Sequence, residues 1–130
     1  MIAAVLHDPR WRNAWRLLFV SVVLGASWLA FSPHPPPAAD LGWDKANHFT
    51  AFGTLAFIGL QGLRAGPGRR WIVLAMLLAY GVLIELVQSQ IPGRDAEAMD
   101  VLADMSGAVI GVSVHALVLR VIGPRALPAR

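Results

Sequence analysis

The sequence predicts an all-α fold, an integral membrane four-helix bundle with its N and C termini in the cytoplasm. Three observations predict it. Hydrophobic residues make up 56% of the 130-residue chain, charged residues only 15%, and the mean hydropathy is +0.57, against roughly 45–50% apolar residues in soluble domains. Four nearly uncharged runs recur at intervals suited to helices of about 20 residues, the length that crosses a bilayer. The basic residues cluster at alternate ends of those runs. One domain, residues 1–130, accounts for the whole length, and no internal repeat is visible beyond this hairpin rhythm.

The first helix is predicted over 14–31 and is stopped by Pro33, Pro35, Pro36 and Pro37, whose rings and missing N–H groups cannot continue it. An Arg-bearing start before an apolar run is also how a secretory signal begins. This run is longer than a signal core, and Pro-Pro-Pro-Ala-Ala-Asp is a poor cleavage site, so the segment is expected to stay as a membrane helix. Its polar content is limited to Arg16, Ser21 and Ser27, which suits a scaffold. The second helix is predicted over 44–63 and is followed by a Gly/Pro turn, Arg64 to Arg70. The third spans 71–91 and stops at Pro92-Gly93, and the fourth spans 100–122 and stops at Gly123-Pro124. Gly107 and Gly111 in the fourth form a small-xxx-small step, expected to be a packing groove for a neighbouring helix.

Arg10, Arg12, Arg16, Arg64, Arg69, Arg70, Arg120, Arg125 and Arg130, nine of the eleven basic residues, fall at one end of this arrangement. The positive-inside rule makes that end cytoplasmic. Seven of the eight acids fall in the opposite loops or helix halves. The net charge of +3 and the pI near 10.6 are thereby accounted for by topology, and nucleic-acid binding is not expected. Cysteine is absent, which excludes disulfides and thiolate metal sites within the chain.

Glu85 is the most informative residue. It lies in an otherwise apolar run, where a carboxylate costs roughly 2.5–3.5 kcal/mol even on lenient insertion scales and so marks a protein interior with a role. With a helical rise of 1.5 Å per residue, His48 and Asp104 lie roughly 6 Å below their helix starts and Glu85 roughly 9–10 Å below the end of the third helix. Asp44 and His48, Asp100 and Asp104, and Glu85 and Gln88 each share a helix face by their spacing. Turning the three faces inward builds a pocket open to the outer surface, with Glu85 at its floor and Lys45 and Arg94 at its rim. Carboxylates this close cannot all ionise in a low-dielectric pocket. A proton kept among them could act as a general acid, couple to transport, or only bridge two helices, so Glu85 and His48 are the candidate catalytic residues.

Asp44-Lys45-Ala46-Asn47-His48-Phe49, Glu85-Leu86-Val87-Gln88 with Pro92-Gly93-Arg94, and Asp100-Val101-Leu102-Ala103-Asp104 with Gly107 and Gly111 resemble, in order and spacing, the three signatures of the VanZ-like family. The resemblance runs from about Trp43 to Gly111. It implies a small multi-pass protein of the bacterial cytoplasmic membrane, an envelope setting, and the antibiotic-resistance theme of the founding member, which is associated with teicoplanin. Position 104 departs from the pattern, being Asp where many members carry Asn, which adds a negative charge to an acid-rich site.

The resulting expectation is an outward-facing pocket, lined by Asp44, Lys45, His48, Glu85, Gln88, Arg94, Asp100 and Asp104, that recognises a lipid headgroup, a lipid-linked cell-wall precursor or a lipophilic glycopeptide. Two alternatives stand beside it: an intramembrane hydrolase or transferase acting on a lipid-linked substrate, and a small proton-coupled exporter. The exporter is disfavoured because such proteins place their essential Glu in the first helix, which here has no acid. Membrane lipids are the expected partners, and a homo-oligomer is compatible with the sequence. No cofactor is expected, and no metal either, since the ligand types His48, Glu85, Asp100 and Asp104 lack a compact motif such as His-Glu-x-x-His. Ser89 and Ser106 lack a nucleophile-elbow setting, and His7, His34 and His115 receive no role.

Overall fold

In the computed structural model, which describes residues 2–37 and 41–123, every regular element is helical. A short helix α1 (Ile2–His7) and a 3-10 turn (Pro9–Trp11) lead into α2 (Arg12–Phe31), and α3 (Asp44–Gly62), α4 (Arg69–Gln88) and α5 (Ala98–Val121) follow. The predicted boundaries are met to within three residues, and α1 and the turn were not anticipated. Asp8 caps that turn through Arg10 N–H at 2.9 Å. The Arg10 side chain bonds the same carboxylate at 2.8 Å and holds Asp8 below the ordinary carboxylate range. Asp40, Arg125 and Arg130, which contribute to the charge pattern, lie outside the described residues.

Successive long helices run antiparallel. Arg16 Nε near the start of α2 donates to Gly62 O at the end of α3, 2.9 Å, and Gln88 Nε2 at the end of α4 donates to Ala30 O at the end of α2, 3.1 Å. His7 and Ile122 O, 2.6 Å apart, bring the end of α1 and the end of α5 to one pole. The consequence is that α3 and α5 lie parallel, and they are also in backbone contact. A Cβ built on Gly107 would collide with the backbone of Phe49, and one on Gly111 with that of Gly53. The small-xxx-small step is therefore a seam between α5 and α3. Through it, α3 becomes the central helix, burying Phe52, Leu55, Ala56, Ile58 and Leu60 against its neighbours.

Polarity is inverted relative to a water-soluble protein. Leu17, Trp28, Trp71, Leu86, Leu117 and Val121 are exposed, whereas His48, Gln88, Asp100, Asp104 and His115 are buried. Such a surface is stable when its solvent is lipid. Segments Pro9–Phe31, Arg69–Gln88 and Ala98–Val121 are each long and apolar enough to cross a membrane. The fourth long helix, α3, is outside that set because Asp44, Lys45, Asn47, His48, Thr50, Thr54 and Gln61 make it too polar. Exposed Trp43 at one pole and Trp11 and Trp71 at the other give the molecule an aromatic residue at each expected interface.

Candidate functional site

Residue Asp44 opens α3, where the helix N-terminus favours negative charge, and its carboxylate is half exposed. One turn on, buried His48 points its ring between two acids. Its Nδ1 is 2.9 Å from Asp104 Oδ1 on α5, and its Nε2 is 3.9 Å from Asp44 Oδ2. Asp104 is fully buried. It fits because α4 presents Gly81 there: a Cβ at that position would stand 2.5 Å from Asp104 Oδ2. Gly81 was not singled out from the sequence, and its only signal was a lone glycine inside an apolar helix.

Four residues back along α5, Asp100 shares the buried face with Asp104. Lys45 Nζ lies 2.6 Å from Glu97 Oε2 and 3.3 Å from Asp100 Oδ1. The longer approach is an ion pair that falls short of hydrogen-bond geometry, so Asp100 Oδ1 meets only an ammonium shared with Glu97, and Asp104 Oδ2 is buried without a donor. Asp44, His48 and Asp100 offer one ligand atom each within 4.8 Å of one another.

The two polar residues of α4 take other places than expected. Glu85 lies beside the cluster, within electrostatic reach of Asp100, His48 and Asp104, and its carboxylate turns toward the start of α5. Its Oε2 accepts the Glu97 backbone N–H at 2.8 Å, fastening the residue that caps α5, while its Oε1 is buried without a donor. Gln88 faces α2, where it donates to Ala30 O. Past Gln88 the chain continues only in i to i−3 turns at Gln90 and Ile91 before Pro92 and Gly93.

Beside the His48 cluster lies a cleft of about 510 Å³ between α2 and α3. Val22, Gly25, Ala26 and Leu29 form its α2 wall, Ala51 and Phe52 its α3 wall, and Asp44, Asn47, His48 and Arg94 its polar end. The first long helix, expected as scaffold, is thus one wall of the cavity. Arg94 is half-buried at the polar end and engages no ion pair or side-chain hydrogen bond among the described residues. Asp44, Lys45, His48, Asp100 and Asp104 therefore form one connected cluster, Arg94 faces it across the cleft, and Glu85 and Gln88 act as struts beside it.

The family model described as VanZ/LLP1 matches residues 4–120. The chain belongs to the VanZ/LLP1 family. The match extends well beyond the three motif segments and takes in α2, so the helix that walls the cleft lies within the family's span. Neither a curated protein nor a solved structure matches the chain. Family membership and the apolar helices together make this VanZ/LLP1 chain a membrane protein.

Proposed function

We propose that this VanZ/LLP1 protein is a four-helix bundle of the bacterial cytoplasmic membrane, with both termini inside, whose outward-facing cleft recognises an amphiphile. The occupant class is a lipid headgroup, a lipid-linked cell-wall precursor or a lipophilic glycopeptide, the last in keeping with the teicoplanin theme of the family. One observation carries the reading: the cleft is mostly apolar, with Thr50 and Thr54 the polar residues along its α3 wall, and its charged groups gather at one end, where the Arg94 side chain has no partner among the described residues. An acyl chain suits the Val22, Gly25, Ala26 and Leu29 wall, and an anionic group suits Arg94. Ligand sites of this size are typically apolar with a few convergent polar groups. The arginine-rich pole, holding Arg10, Arg12, Arg16, Arg64, Arg69 and Arg70, is the end that the positive-inside rule assigns to the cytoplasm.

Native mass spectrometry of the purified protein with phosphatidylglycerol and phosphatidylethanolamine tests the reading directly. Gly25→Leu, which fills the cleft, should abolish lipid retention, and Arg94→Ala should remove the preference for the anionic lipid. Wild-type retention by both variants sinks the proposal. A deletion strain rescued by either variant supplies the cellular counterpart through glycopeptide susceptibility.

A second reading is favoured by the buried Asp104–His48 pair, which holds through Nδ1 an imidazole that lines the cleft and leaves its Nε2 beside half-exposed Asp44. An imidazole oriented by a carboxylate can accept a proton from water or a hydroxyl during hydrolysis or transfer. An enzyme must leave a changed lipid. Lipid profiles that are identical with and without the protein would exclude this reading and leave the binder standing.

A further inference from the structure

We infer that Asp44, His48 and Asp100 form a binding site for a borderline divalent cation of the zinc type, with Asp104 orienting the imidazole. The three residues supply one ring nitrogen and two carboxylates whose ligand atoms lie within 4.8 Å of one another. Tetrahedral bonds of about 2.0–2.2 Å put ligand atoms about 3.3–3.6 Å apart. His48 Nε2 and Asp44 Oδ2 are already 3.9 Å apart, and Asp44 is half exposed, so its side chain is free to close the remainder.

Two independent features prepare this arrangement. Asp104 occupies His48 Nδ1 at 2.9 Å, which leaves Nε2 as the ligating atom. Metal-binding imidazoles characteristically give their second nitrogen to such a carboxylate. Asp100, at 1% exposure, holds a buried oxygen that makes no hydrogen bond and meets only the Lys45 ammonium in an ion pair. Its neighbour Lys45 is drawn aside to Glu97 at 2.6 Å and comes no nearer to that oxygen than 3.3 Å. A buried carboxylate whose one ammonium is shared with a second acid is under-compensated, and a bound cation makes up the shortfall.

The ligand set selects the ion. Calcium takes six to eight oxygens and magnesium prefers oxygen in an octahedron, whereas imidazole with two carboxylates suits zinc and its neighbours. Three protein ligands would leave one position open, and two of them, Asp44 and His48, also line the cleft. The inference shares the cleft's location with the amphiphile reading but does not depend on it.

The test uses tag-free, chelator-stripped full-length protein in detergent micelles, titrated with Zn²⁺ alone by calorimetry and with Co²⁺ by visible absorption. One ion per chain is expected, with the cobalt spectrum of a tetrahedral nitrogen–oxygen centre. His48→Ala and Asp100→Asn should weaken binding by at least about 100-fold, and Asp104→Asn by about 10–100-fold. His7→Ala, at the opposite pole, should leave it unchanged. Asp44→Asn is the decisive variant, because its half-exposed side chain can change without disturbing the core. Absence of saturable Zn²⁺ and Co²⁺ binding, or unaltered affinity in Asp44→Asn, overturns the inference. Either result leaves the amphiphile reading to be judged by Gly25→Leu.

Discussion

In the half of α3 that carries the polar cluster, the two faces use small residues for opposite ends, whereas Gly59 and Gly62 further along pack closely on α2. Toward α5, Gly53, Gly107 and Gly111 let two parallel backbones touch. Toward α2, Gly25, Ala26 and Ala51 line a void, and a Cβ on Gly25 would meet nothing within 4 Å. Glycine content alone therefore does not say whether a membrane interface is closed or hollow. What decides it is whether the small residue faces a backbone or a gap between larger side chains. In lipid this matters more than in water, because apolar burial gives helices little reason to associate and packing and polar contacts carry the association.

Substitutions should separate the two interfaces by their size of effect. Gly107→Val forces a branched side chain into the Phe49 backbone and should cost at least about 3 kcal/mol, seen as loss of folded protein in thermal unfolding in micelles. His48→Ala removes the buried hydrogen bond across the same seam and should cost about 1–2 kcal/mol by the same measurement. Gln88→Leu breaks the bond to Ala30 O on the cleft side and should cost about 0.6–1 kcal/mol, with the loss confined to docking of α2 and visible as faster hydrogen exchange there. Gly25→Ala should change stability by less than about 0.5 kcal/mol. If Gly25→Ala proved as damaging as Gly107→Val, the contrast between seam and void would fail.

Much of the fold was legible because breakers and composition act locally. The Pro33 to Pro37 cluster, the Arg64 to Arg70 turn and Pro92-Gly93 set three of the connections, and the apolar runs between them became α2 to α5. Helix α1 was not legible, since six residues carry too short a pattern to announce a helix. The common depth of His48 and Asp104 followed from helical rise alone, and the two residues are bonded. Which way each helix is rotated was beyond reach of spacing. Glu85 and Gln88 share a face of α4, yet that face meets the α5 cap at one residue and the α2 terminus at the other. Gly81 escaped notice because its meaning lies in Asp104, twenty-three residues away in sequence.

No residue of α2 is fully buried, and polar bonds fix this helix at three heights: Arg16 to Gly62 O, Tyr80 OH to Ser27 and Val23 O, and Gln88 to Ala30 O. Its apolar contacts, from Phe19, Val22, Val23, Ala30 and Phe31, are only partly buried, so under mechanical load applied at the N-terminal end such a helix behaves more as a strip held by three rivets than as a slab glued along its length. Once the His7 tie to Ile122 O has opened, it would peel away in discrete ruptures while α3 to α5 stay joined, so the wall of the cleft is also the first of the four long helices to let go.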